Sequence, residues 1–270
     1  MIIEQAFFAL PEFLVGTGFT RYESEGTLVM SYAMAVLQEL NGRNVSNPIA
    51  LVSGEKTYPR AASRTADLHV DYGQTGTHNK ALASFGIHST SWLEAKFFRK
   101  VDGKPSKDLT SATYALLRDL LRLAIFPPHV IGEPLSCGRY LLHAYQGEHS
   151  QHLAMQRNVG GGGGRVTRGW LDGIHAPGAK SLEFGDLTAE PAEFDKQVGK
   201  KLRDIKVSVS VTTFAIIGKT SEYGLYLTRL DSFSVERSSS RIDASDQTST
   251  ESTPGFWTQL GIDIEKELEK

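Results

Sequence analysis

The sequence predicts a mixed α/β domain of the α+β kind, a mixed sheet flanked by helices with a β-rich C-terminal half. Two observations carry the first part. A helix-period segment precedes a series of short strand-like segments, and a second helical segment then leads into one more strand. The third observation is a pair of longer strand segments past residue 200, joined by GKTSE in the manner of a hairpin. With 270 residues, 40% of them hydrophobic, the chain suffices for one large domain or two small ones.

Residues 27–43 (TLVMSYAMAVLQELNGR) read as a helix ending near Gly42, because Leu28, Tyr32, Ala35, Val36 and Leu40 recur at helical spacing. Glu39 falls on that apolar stripe, where a carboxylate is out of place. Residues 66–72 alternate, with Ala66, Leu68 and Val70 on one face and Asp67, His69 and Asp71 on the other, which reads as a strand. Residues 81–88 and 91–98 read as two further strands, the second strongly apolar. The charged connector RKVDGKPSKD leads to a helix over 110–125, capped by Thr110 or Ser111 and stopped by Pro127 and Pro128. Strand character resumes over 138–146 and again over 205–217 and 223–236. The Ser/Thr-rich stretch 238–255 reads as a flexible linker and 256–269 as a short helix. The expected division is a core over 1–150, a hairpin-containing recognition or dimerisation region over 151–237, and a tail over 238–270.

Composition narrows the function classes. No apolar run approaches the roughly 18–20 residues of a membrane span. The early Glu4 and the lack of a basic leader argue against a secretory signal, so a cytoplasmic location is expected. A single cysteine, Cys137, leaves no intrachain disulfide and no Cys-rich zinc site. The net charge of −2 is uneven: seven acids against two lysines give residues 243–270 a net of −5, which leaves +3 on the body. A mildly positive body is compatible with a polyanionic partner.

The most informative constellation is Asp67 on one strand and Glu94-Ala95-Lys96 on a later one. Residues i and i+2 of a strand share a face, so Glu94 and Lys96 project together from a strand otherwise built of Trp92, Leu93, Phe97 and Phe98. Two charges there are costly to bury without partners. If Asp67 lies on the neighbouring strand, the paired carboxylates suit an oxygen-seeking divalent cation, with the Lys96 ammonium placed to orient water or to meet phosphate charge.

This pattern resembles the PD-(D/E)xK nuclease superfamily, with its restriction-endonuclease-like fold. RTADLHV (64–70) looks like the strand presenting the family's Asp, and WLEAKF (92–97) looks like its ExK strand. The helix with Arg118, Asp119 and Arg122 looks like the one that follows ExK. Ala66 replaces the proline that names the motif. The resemblance covers residues 27–146 and implies a core of helix, strand meander, helix and strand. It also implies Mg²⁺, with Mn²⁺ substituting, held by Asp67, Glu94 and the Ala95 carbonyl, with Lys96 positioning the attacking water. The implied activity is endonucleolytic cleavage of nucleic acid, double-stranded DNA above all, of restriction or phage-defence type. Many members work as dimers, so the resemblance allows a homodimer; no membrane partner is expected.

Other residues have weaker claims. Asp71 shares a face with Asp67 and is the rival ligand, although it borders the turn at Tyr72-Gly73. Glu39 either reaches the metal from the first helix or pairs with an arginine. His69 either assists beside Asp67 or is incidental. Glu23 and Glu25 suit a first helical turn. His149 and His152 lack a third metal ligand and suit a solvated loop. Gly160–Gly164 lack the Lys-Ser/Thr of a phosphate loop, but Arg165 and Arg168 beside them, with Lys100, Lys104 and Lys107, are candidate nucleic-acid contacts. The competing interpretation is a non-catalytic nucleic-acid- or protein-binding subunit on a degenerate nuclease fold.

Overall fold

The structure, a computed structural model, describes residues 2–20, 23–59, 61–73, 88–125, 127, 137–159, 164–184, 205–217 and 222–237. Its helices are α1 (Ile2–Gly16), α2 (Glu25–Gly42), α3 (Leu109–Ile125) and α4 (Gly169–His175). One seven-stranded mixed sheet joins β1 (Val52–Tyr58), β2 (Ala61–Asp71), β3 (Thr90–Phe98), β6 (Gly138–Gln146), β9 (Gly178–Phe184), β10 (Ile205–Ile217) and β11 (Tyr223–Arg237), in the order β1-β2-β3-β6-β11-β10-β9. Small ladders pair β4 (Lys100–Val101) with β5 (Lys104–Pro105), and β7 (Gln156–Val159) with β8 (Gly164–Thr167). The α+β class is therefore as expected.

Among the described strands of the large sheet, β3 and β6 pair in parallel and every other neighbouring pair is antiparallel. Parallel strands need a long crossover, and α3 supplies it. Strand β6 is buried along nearly its whole length, as befits a central strand covered on both faces. On one face Phe7, Leu10, Leu28 and Tyr32 of α1 and α2 pack with Leu93, Ala95 and Leu142. On the other, Leu116 and Leu120 of α3 and Ile174 of α4 pack with Trp92, Leu141 and Tyr145.

The end of α3 is pinned from the sheet. Buried Arg139 of β6 donates to the carbonyls of Leu123 (2.9 Å) and Ala124. These are C-terminal helix carbonyls, which lack partners within the helix and carry its negative end. That fixes α3 over β3 and β6, and with it the residue that faces Lys96.

Several local expectations are corrected. Helix α1 was not anticipated. Asp108, and neither Thr110 nor Ser111, caps α3: its carboxylate accepts from the N–H groups of Thr110 (3.1 Å) and Ser111 (2.8 Å). The segment after the glycine run, which shows no periodicity in the sequence, holds α4 and β9. The hairpin forms as expected and extends the same sheet through β6. Of the expected strand 81–88 only His88 is described, outside any strand. Residues 238–270 lie outside the described residues, as do Gly160–Gly163 of the glycine run.

Candidate active site

Asp67 stands where two ladders lapse. The β2–β3 pairing runs from Asp71↔Thr90 to Leu68↔Leu93 and stops, so Asp67 and Glu94 are not paired although they are next in register. On the other side, β1 pairs through Gly54↔Leu68 and resumes at Lys56↔Ala66; Glu55 between them takes φ +49°, a costly angle for a non-glycine residue. Ala66 joins the α3-side core while Leu68 and Val70 join the opposite one, so the strand changes face across Asp67. Asp67 therefore turns towards the open edge of β3, where its Oδ2 accepts the Ala95 N–H at 2.7 Å. The N–H and C=O of one strand residue face the same neighbour, so the Ala95 carbonyl opens to the same gap. There it accepts from Lys96 Nζ at 3.1 Å.

Glu94 is buried, and the Tyr58 hydroxyl donates to its Oε1 at 2.6 Å. The Tyr58 ring stacks on Trp92, with ring centroids 5.1 Å apart. Lys96 Nζ lies 3.0 Å from Asp119 Oδ2 and 3.1 Å from Glu25 Oε1. Asp119 is fully buried and also meets Arg122 at 3.1 Å and Arg118 at 3.5 Å. The Lys96 ammonium donates to Glu25 and to the Ala95 carbonyl and is ion-paired with Asp119.

Four carboxylates, Asp67, Glu94, Asp119 and Glu25, crowd this corner. Burial, then the charges of Asp119 and Asp67, push the Glu94 carboxyl up to about 8, against the hydrogen bond from Tyr58. Burial also raises Asp67, partly offset by the Ala95 N–H and Lys96. Burial works against the Lys96 charge, but Asp119 and Glu25 outweigh it and hold the ammonium above the ordinary lysine value. Lys96 is thus a fixed cation.

Among the described residues, no three His, Cys, Asp or Glu side chains form a group that could hold a metal ion. The expected ligand set has only two carboxylates, with a main-chain carbonyl as its third member, and the charge balance fits a cation. Glu94 is raised by burial first and by the charges of Asp119 and Asp67 second, and a divalent ion at the gap would favour its ionised form.

The remaining candidates fall elsewhere. Glu39 pairs with Arg43 at 3.8 Å, one helical turn on, and the α2 acid that reaches the site is Glu25. Asp71 accepts the Gly73 N–H at 2.8 Å, a turn contact at the far end of β2. His69 packs against Trp92, ring centroids 4.3 Å apart, and burial lowers its pKa. Arg168 is buried and donates to the carbonyls of Ala154 and Gln156 (2.8 Å), which removes it from the nucleic-acid contacts. Lys104 and Lys107 are exposed and Lys100 half-buried, while the side chain of Arg165 lies outside the described residues. His149 and His152 are not in a solvated loop; they join a packed aromatic cluster.

Sequence reasoning missed Tyr58 and gave Asp119 no role at the site. Asp119 had a signal, since it lies three residues past Leu116 and four before Leu123, on the apolar face of α3. Tyr58 had none. No protein-family model, no curated protein and no solved structure matches this chain.

Proposed function

We propose that the chain is a metal-dependent endonuclease that hydrolyses nucleic-acid phosphodiester bonds, with double-stranded DNA as substrate and restriction or phage defence as setting. One observation carries the reading. The sheet parts at Asp67, so that its carboxylate and the main chain of Ala95 share a gap, with Glu94 and Lys96 flanking Ala95 on β3. The order α2, β1-β2-β3 meander, α3, parallel β6 supports it, being the order implied by the PD-(D/E)xK resemblance.

Asp67, Glu94 and the Ala95 carbonyl would hold Mg²⁺ or Mn²⁺, which supplies Lewis acidity toward a phosphate oxygen and its attacking water. The chain's own residues do the rest. Tyr58 fixes one oxygen of Glu94 and leaves the other for ligation. Lys96, kept charged, orients water and faces developing phosphate charge; it does not take the water's proton. Asp119, held by Arg118 and Arg122, positions Lys96 from behind. Lys104 and Lys107 on the exposed connector contact the backbone of the substrate.

One observation favours the non-catalytic interpretation: Lys96 is already engaged within the protein, by Glu25, Asp119 and the Ala95 carbonyl. Nicking of supercoiled plasmid in Mg²⁺, Mn²⁺ and EDTA separates the two. Cleavage that needs the divalent ion supports the endonuclease, and Mn²⁺ binding without cleavage of DNA or RNA supports the binding subunit.

A further inference from the structure

Beside the Lys96 corner lies a second buried polar group that the proposed hydrolysis does not use. His143, opposite Lys96 in the β3–β6 ladder, and Tyr145 project from β6 towards α4, where they meet His175. Thr228 of β11 and Thr213 of β10 continue the group across the sheet. His143, Tyr145 and Thr228 are wholly buried, and Thr213 and His175 nearly so.

The hydrogen bonds have one proton order. The Leu171 carbonyl can only accept, so His175 Nδ1, 2.7 Å away, carries the proton. In the neutral ring Nε2 then accepts, and Tyr145, at 2.9 Å, donates to it. The Tyr145 oxygen is left to accept from His143 Nδ1 at 3.1 Å. His143 Nε2 is therefore bare and accepts the Thr228 hydroxyl proton at 3.1 Å, a proton shared with the Ile174 carbonyl at 3.3 Å, and Thr228 in turn accepts from Thr213 at 3.1 Å. A single chain of donations thus runs from β10 through β11 and β6 to α4.

We propose that this chain is a proton-sensitive clamp, holding α4 and the β10–β11 hairpin against β6 only while both imidazoles are neutral. A second proton tells differently on the two rings. On His143 it would displace the Thr228 hydroxyl, which has the Ile174 carbonyl in reach at 3.3 Å. On His175 it would point at the hydroxyl proton of Tyr145 and force that proton off the hydrogen bond to α4, leaving the Tyr145 oxygen between two imidazole donors, so the link between α4 and β6 weakens. His175 is the trigger.

The surroundings do not favour charge on either ring. His149 stacks on His175 with centroids 4.0 Å apart, and Tyr226 of β11 lies against both His175 and His149. Glu148 and Asp172 act on His149 at the solvent side, and Lys100 acts on His152. The charged groups of α3, Arg118, Asp119 and Arg122, are engaged around Lys96. Burial and the neighbouring imidazoles accordingly lower both His143 and His175, the latter to about 3.

Released imidazoles regain an ordinary value near 6.5, so opening of α4 takes up protons. Between pH 7.5 and pH 5 its opening constant should rise about thirtyfold for one released ring and about a thousandfold for two. The test is amide hydrogen exchange of the full chain at the two pH values, corrected for intrinsic rates, together with ¹⁵N imidazole shifts at pH 7.5. The expected result is a loss of protection of at least about thirtyfold in α4, with no such loss in α1 and α2 and Nδ1–H tautomers at both His143 and His175. His175→Phe, which cannot titrate, should lower the pH ratio for α4 about thirtyfold; if that variant does not fold, the wild-type tautomers and exchange still decide. Protection of α4 that is independent of pH, loss spread equally over α1 and α2, or an Nε2–H tautomer at His175 would each overturn the clamp.

Discussion

Glu94→Gln should make the metal-free protein more stable, and only at high pH. The Glu94 carboxyl titrates near 8 in the folded chain against an ordinary 4.5. Between those values the folded state keeps a proton that the unfolded chain has released, so stability falls as pH rises through the window and the full cost stands above it. A displacement of about 3.5 pH units, at roughly 1.4 kcal/mol each, sets a ceiling of about 5 kcal/mol. Glutamine keeps the shape and the acceptor for Tyr58 while removing the charge. Urea unfolding in EDTA should show the variant more stable than wild type by about 3–5 kcal/mol at pH 8.5, and within about 1 kcal/mol of it at pH 5. Saturating Mn²⁺ at pH 8.5 should stabilise wild type, by about 2.7 kcal/mol at a hundred times Kd, and leave the variant nearly unchanged. The same difference at both pH values would refute the reasoning, because Glu94 would then carry no ionisation penalty.

Lys96→Ala should lower single-turnover cleavage by roughly a hundredfold or more, while costing only about 1–3 kcal/mol in urea unfolding, because Asp119 keeps Arg118 and Arg122. Tyr58→Phe removes a hydrogen bond to a charged group, worth about 1.5–3 kcal/mol. Calorimetric titration should therefore find its half-saturation pH for Mn²⁺ raised by about 1–2 units. Lys104→Ala and Lys107→Ala should each weaken DNA binding and reduce the salt slope by about 1. Arg168→Ala should instead lower the melting temperature and leave that slope alone, since Arg168 serves the carbonyls of Ala154 and Gln156.

What the sequence made legible was periodic. The two-residue repeat put Glu94 and Lys96 on one face of β3, and the 3.6-residue repeat marked α2 and α3 within two residues of their ends. The lapse at Asp67 has no such signature: it coincides with Glu55 at positive φ, on another strand. Glu25, rejected as a first-turn acid, and Tyr58 reach the site only through tertiary placement, 71 and 36 residues from their partners Lys96 and Glu94. Helix α4, with seven residues, is too short for a helical period to stand out. The histidine chain was illegible for a related reason. His143 lies in a strand buried on both faces, where no alternation distinguishes it, and its partners come from α4, β10 and β11.

The most direct test is single-turnover nicking of supercoiled plasmid by folded wild type, Glu94→Gln and Lys96→Ala, with Mn²⁺ affinity measured on the same samples. Wild type should nick the plasmid, and EDTA should abolish it. Glu94→Gln should lose both ion and activity, and Lys96→Ala should keep the ion and lose activity by about a hundredfold. Wild-type nicking that survives EDTA, or a Lys96→Ala variant as active as wild type, would contradict the proposed function.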